Sequence, residues 1–207
     1  MHPNPAFRPA LPGDARGFYA DFIAEVGMGM VFAPTPDGPR VAHVPLIARD
    51  EGRVAFHLAR GNALTRHLDG ATALVVINGP DGYVSPRWYG DSGQVPTWNY
   101  LALEGEGVAH RIDRAALLAQ LTDISALNEA RLGGEAWTMD KVQAATLSRL
   151  LDGIVGFELA VTAWRPTFKL SQNKSAHDRA AVADGLEAAG AGAIATLMRA
   201  FGPADQR

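Results

Sequence analysis

The sequence predicts a mainly β protein with flanking helices, an α+β fold built on a small antiparallel barrel of six or seven strands. Three observations predict it. Four strand-like runs, MGMVFAP, RVAHVPLIA, RVAFHLA and TALVVING, follow one another closely between residues 28 and 79. Gly-bearing turns such as PDGP and RDEG separate them. A spacing of about ten residues with tight turns joins antiparallel hairpins, whereas parallel strands need helical crossovers. Two later runs, TWNYLALEGEGVAHRI and GIVGFELAVTAWRP, return to strand, and a strand set of this size closes with its helices outside.

The elements follow in order. Asp14 is placed to cap a first helix whose apolar face is Phe18, Phe22 and Val26, with Tyr19 and Ile23 alongside and Gly27 as its stop. The hairpin strands come next, and RVAFHLARGNALTRHL runs the third of them into a turn and a short helix. Residues 82–100, GYVSPRWYGDSGQVPTWNY, are too aromatic for a plain loop and too broken by Gly and Pro for one strand. Asp113 and Thr138 each stand where they cap a helix with Leu at helical spacing. The Ala-rich tail is helical from about Asp178, interrupted near Gly190 and Gly192.

Composition bounds the rest. The chain has 207 residues and fits one domain, 1–207, with that helical C-terminal tail. A hydrophobic share of 47% against 20% charged is ordinary for a soluble globular protein. A net charge of −3 gives no whole-domain footprint for nucleic acid. The absence of Cys removes disulfides, thiolate catalysis and zinc–sulfur sites together. The N-terminus lacks a signal peptide's basic and apolar regions, and no run is long enough to span a membrane. The expectation is a soluble, cytoplasmic protein.

Three groups of residues bear on chemistry. Arg60, Asn62, Thr65 and Arg66 gather at the strand-to-turn junction, where guanidinium groups fork onto phosphate oxygens. Read alone, the group is a solvated helix start with two surface arginines, and neither a P-loop nor a GxGxxG fingerprint is present. In AWRPTFKLSQNKS, Lys169, Ser171, Gln172, Asn173 and Lys174 supply donors interleaved with Trp164 and Phe168. Such a mixture suits a planar heterocycle bearing a phosphate, although most stretches like it are plain hydrophilic loops. His43 and His57 each lie inside a strand without a helical His pair or a carboxylate cluster, so no metal site follows. Ser85, Ser92 and Ser171 have no nucleophile-elbow setting, and no catalytic residue is assigned.

The motifs GYVSPRWY (82–89), VPTWNY (95–100) and KLSQNKS (169–175), in this order and at these gaps, resemble the signature of the PaiB family of FMN-binding negative transcriptional regulators. The resemblance runs from Phe7 to about Gly185. It implies a split β-barrel related to pyridoxamine phosphate oxidase, with FMN as cofactor and a homodimer carrying flavin sites at the subunit interface. It implies that His43, Val44 and Pro45 border the isoalloxazine with backbone groups. His57, Leu58, Ala59, Arg60 and Asn62, with Thr65 and Arg66, would take the ribityl chain and phosphate. Thr97, Trp98 and Asn99 would reach in from the other subunit, and Lys169, Ser171, Gln172 and Asn173 would close the site. On this reading the aromatic stretch is flavin-site wall and dimer surface. The chain departs from the family pattern at Ala63, where Pro is usual, at Asp81-Gly82, where His-Ala is usual, and at its MHPNP start.

Three functions are open to such a protein: a flavin-dependent or flavin-sensing regulator, a flavin oxidoreductase acting on a small molecule, or a flavin carrier. Direct DNA binding is disfavoured. The available cations Arg87, Arg111, Arg114 and Arg131 are scattered among Asp91, Glu104, Glu106 and Asp113, and no recognition-helix pattern is visible.

Overall fold

The computed structural model describes residues 2–9, 15–91 and 93–201, the Glu51 side chain apart. Six strands, β1 (Met28–Thr35), β2 (Gly38–Arg49), β3 (Arg53–Ala59), β4 (Thr72–Val84), β5 (Thr97–Arg111) and β6 (Ile154–Lys169), close into a barrel in the order β1-β2-β3-β6-β5-β4. The registers of β1 with β2 and β4, and of β3 with β2 and β6, are antiparallel. Helix α1 (Ala15–Val26) precedes the barrel, α2 (Arg114–Glu129) and α3 (Ala144–Asp152) lie between β5 and β6, and α4 (Ala176–Ala188) and α5 (Gly192–Ala200) follow. The α+β class expected of the sequence is the one found, with six strands.

The chain divides into two compact units. The larger comprises Asp14–Ile77 and Glu104–Trp164; the smaller comprises Met1–Gly13, Asn78–Leu103 and Arg165–Arg207. In the larger, alternate residues of each strand point inward: Val31, Val44, Leu46, Val54, Phe56, Leu58, Val75, Phe157 and Leu159 are buried, the period-2 pattern of a half-buried strand. Phe56 and Phe157 stack at its centre, with ring centroids 5.8 Å apart. Strands β5 and β6 cross so closely at Gly107 that a Cβ there would sit 1.9 Å from the Ala160 carbonyl oxygen. Only glycine fits that crossing.

Several local expectations are corrected. The capping role read at Asp14 falls outside the described residues. In α1 the deeply buried residue is Ile23, and Tyr19 packs on Trp164 with centroids 4.9 Å apart. The face toward the barrel is therefore the Tyr19–Ile23 side, while Phe18 and Phe22 stack on each other, half-buried. Asp113 caps α2 as expected, accepting the Ala116 N–H at 2.8 Å. Thr138 does not cap α3. It precedes a 3-10 turn, Met139–Lys141, and α3 begins only at Ala144.

No helix follows β3. Asn62 accepts the Leu64 N–H through Oδ1 and Thr65 donates Oγ1–H to the Ala59 carbonyl, so side chains take the bonds a helix would need and the segment stays a run of tight turns.

In the smaller unit, β4 continues through GPDGYV to Val84 despite its Pro and Gly residues, so that part of the aromatic stretch is strand. A 3-10 turn, Pro86–Trp88, and a loop then lead to β5. Helix α4 starts at Ala176, capped by Ser175, whose Oγ accepts the Asp178 N–H. Gly190 adopts φ +85°, which ends α4 and turns the chain into α5. A Cβ at Gly185 would lie 2.4 Å from the Trp88 ring, and one at Gly82 would lie 2.6 Å from Leu186. The helix pair thus packs directly on the first half of the aromatic stretch.

Candidate functional site

The residues singled out by the motifs fall into two sets, one in each unit. In the larger unit the set lies on β2, β3 and the turns after β3. Strand alternation exposes His43, buries Val44 and leaves Pro45 half-buried. His43 faces Met30 across the ladder, Pro45 faces Met28 and Val41 faces Phe32. Met28 and Val41 are exposed, and the same outward rows continue onto Leu74 and Val76 of β4. The result is a largely apolar outer sheet face interrupted by one imidazole.

On β3, Leu58 points into the core and leaves only its backbone for a ligand. His57 points the other way, opposite Gly156. Its Nδ1 is buried without a hydrogen-bond partner among the described residues, and burial pushes the imidazole below its usual pKa. A neutral ring is the form such a setting favours. The exposed Arg60 donates through Nε to the Asp152 carbonyl at 2.6 Å and through Nη2 to the Ile154 carbonyl at 3.3 Å. The first carbonyl ends α3, where the helix dipole is negative, and the second opens β6, so the guanidinium is fixed in place while its outer N–H edge has no partner among the described residues. Arg66 is exposed and likewise has none.

In the smaller unit the set joins the start of β5 to the end of β6. Asn99 is wholly buried: its Nδ2 donates to Ser171 Oγ at 3.0 Å, and the Ser171 hydroxyl lies 3.2 Å from Asn99 Oδ1. Asn99 Nδ2 also lies 3.2 Å from Met198 Sδ on α5. Ser171 holds φ +58°, a backbone state that Ser rarely adopts. Gln172 bridges its own turn, donating to the Phe168 carbonyl and accepting the Leu170 N–H at 2.8 Å. Lys169 donates to Thr97 Oγ1 at 2.5 Å, its Nζ lies 5.9 Å from the centre of the Phe7 ring, and burial lowers its pKa. A cation whose neighbours are a hydroxyl and a ring is under-compensated. Asn173 is exposed, and Trp98 is 53% exposed with Tyr83 packed against its edge, centroids 5.9 Å apart.

Three further features of this unit surround these residues, and of their members the sequence had singled out Lys174 and Trp98. Tyr89 is buried and its hydroxyl makes no well-formed hydrogen bond among the described residues; burial raises its pKa, and the nearby Ser171 hydroxyl opposes that more weakly. Lys174 bonds Gln94 at 2.6 Å and lies 5.1 Å over the Tyr89 ring. A cleft of about 370 Å³ is lined by Asn78, Gly79, Asp81, Trp98, Tyr100 and Leu101. The i, i+2 spacing of Trp98 and Tyr100 was the available signal for that cleft, since it puts both on one strand face. Trp88 and Tyr89, by contrast, serve the packing of α4 and the Lys174 loop.

Residues 1–163 match the family model described as "Putative FMN-binding domain". The protease synthase and sporulation protein PAI 2 of Bacillus subtilis (strain 168) is 31% identical over 172 residues, 81% of this chain and 82% of its own length. An uncharacterized protein of Aspergillus fumigatus is 30% identical over 157 residues, which are 66% of this chain and 60% of that protein. Among solved structures, the FAD and haem binding protein of Mycobacterium smegmatis has a TM-score of 0.58 at 17% identity, covering 81% of this chain and 77% of its own. A conserved hypothetical protein of Mycobacterium tuberculosis reaches 0.56 at 14% identity, covering 81% and 93%. These two likenesses are of fold, and the fold is the split barrel. The family match and the identity to PAI 2, each spanning about four-fifths of the sequence, make this chain a member of the PaiB-like FMN-binding family.

Proposed function

We propose that this chain is a single FMN-binding domain that dimerises and acts as a negative transcriptional regulator indirectly, through its flavin or a partner, without gripping duplex DNA. The observation that carries the cofactor reading is the Arg60 guanidinium. Carbonyls fix two of its N–H groups, and its remaining edge, with the exposed Arg66 close along the chain, suits a phosphate. The buried, unpartnered His57 Nδ1 and the under-compensated Lys169 also fit a polar, phosphate-bearing group. Arg60, Asn62, Thr65, Arg66 and Lys169 would hold its ribityl chain and phosphate, His43 to Pro45 its ring edge, and Trp98 its ring face. Bound FMN supplies reversible redox chemistry and a visible absorbance.

Dimerisation is favoured by the outward apolar rows of β1, β2 and β4, because soluble monomers rarely leave such faces to water. A second copy is the occupant that would let each Trp98 complete the other subunit's site. Sedimentation at micromolar concentration is expected to give a dimer. A monomer that still binds FMN would remove the shared site.

The indirect mode rests on charge. Of the four candidate cations, Arg114 is paired with Asp152 at 2.5 Å and Arg131 with Glu25 at 3.6 Å. That leaves Arg87 and Arg111, hence about two phosphate contacts and a salt slope near −1.8. Gel shifts are expected to show at most weak binding that disappears between low and physiological salt. A nanomolar, salt-resistant complex with a promoter fragment would restore a direct repressor.

A further inference from the structure

Trp98, to which the flavin reading gives the ring face, also borders a cleft whose other walls that reading leaves unused. Its walls are Asn78, Gly79 and Asp81 from β4 and Trp98, Tyr100 and Leu101 from β5. Two are aromatic, one is an acid, one is an amide, and none is Lys, Arg or His. Asp81 is exposed and makes no hydrogen bond or ion pair among the described residues. Trp98 is braced by Tyr83, whose ring meets it edge-on at 71°, so the indole is held although half of it faces water.

Each class of ligand can be weighed against these walls. An anion would meet an uncompensated carboxylate and no cation. A neutral apolar molecule would cover the rings but strip water from Asp81, which costs free energy unless the charge is paired. A calcium or magnesium ion takes six or more oxygens and zinc prefers His or Cys ligands, whereas the cleft offers one carboxylate and one amide side chain. An alkylammonium fits these walls best: its charge would face the ring quadrupoles and the carboxylate, its N–H groups would bond Asp81 and the Asn78 side-chain oxygen, and its carbon chain would lie against the Trp98 and Tyr100 rings. A volume of about 370 Å³ accommodates several carbons beyond the nitrogen. We infer that the Asp81–Trp98–Tyr100 cleft is a binding site for an organic ammonium ion. The inference stands on residues of one unit and does not require the flavin.

The test uses the purified full chain without added FMN. The probe is n-butylammonium chloride, compared with sodium butyrate and 1-butanol at one ionic strength. The reporter is the Trp98 indole N–H signal in proton–nitrogen correlation spectra, identified by its loss in Trp98→Phe. The expected result is a saturable shift with butylammonium and none with butyrate. Asp81→Asn should raise the dissociation constant about tenfold, the effect of losing one charge-assisted contact. Because Asp81 is exposed, that variant should melt with the parent. An equal response to 1-butanol, no response to butylammonium, or an unchanged constant in Asp81→Asn would each overturn the inference. FMN binding is read separately by absorbance, so the failure of either reading is visible on its own.

Discussion

Replacing Arg179 with Met is expected to destabilise the C-terminal helix pair by roughly 3 kcal/mol. Arg179 is 6% exposed and has no carboxylate partner among the described residues. Instead it donates to three backbone carbonyls: Leu170 at 3.3 Å, Met198 at 2.7 Å and Phe201 at 2.8 Å. Two of these terminate α5 and the third sits in the KLSQN segment, so one side chain ties both to α4. Met fills much the same volume but leaves those oxygens without a donor, and each buried orphan costs about 1–3 kcal/mol. Arg199 is the control. It pairs with Asp184 at 2.8 Å and Glu187 at 2.6 Å on the surface, where such pairs contribute about 0–1 kcal/mol. Thermal melts should separate the two variants clearly, with early proteolytic loss of residues beyond 175 in Arg179→Met. Equal melting temperatures would show that solvent replaces the guanidinium and that the tie is unimportant.

The contrast between these arginines shows where the sequence stops being legible. The hairpins, the barrel and the Asp113 cap follow from local pattern, because alternation and capping act over a few residues. Arg179 sits in AHDRAAVADG, which reads as a solvated helix face, and nothing local marks the three carbonyls that arrive from other segments. The turns after β3 were misread for the opposite reason. Asn62 and Thr65 resemble a helix start, yet their side chains bond within the turn and stop propagation.

The motif residues divide along similar lines. Asn99 and Ser171 were assigned by resemblance to the cofactor. In the structure they bond each other in the interior and so act on any pocket through the backbone they fix. The exposed members, Trp98, Arg60 and Arg66, keep surfaces that a ligand can reach. Spacing along the chain cannot distinguish the two kinds of residue, because both lie in the same short motifs.

FMN added to the purified protein is expected to bind with a perturbed visible spectrum and quenched flavin fluorescence. At 100 times the dissociation constant it should stabilise the fold by about 2.7 kcal/mol. The decisive comparison is with riboflavin, which carries the same ring and ribityl chain without the phosphate. Arg60→Ala or Lys169→Ala should each weaken FMN by roughly 1.5–3 kcal/mol and riboflavin little, since only FMN loses a charge-assisted contact. Trp98→Leu should weaken both ligands alike, because ring stacking is common to them.

A pH profile sharpens the case for Lys169. Burial lowers its pKa in the free protein, and a phosphate dianion beside it would favour the protonated amine. FMN affinity should therefore fall as pH rises through that lowered pKa, in the range above the phosphate's second ionisation at about 6, while riboflavin affinity stays flat. In Lys169→Ala the slope should vanish. Parallel profiles for the two ligands would place the phosphate elsewhere, and a titration with no spectral or thermal change would remove the flavin from this protein altogether.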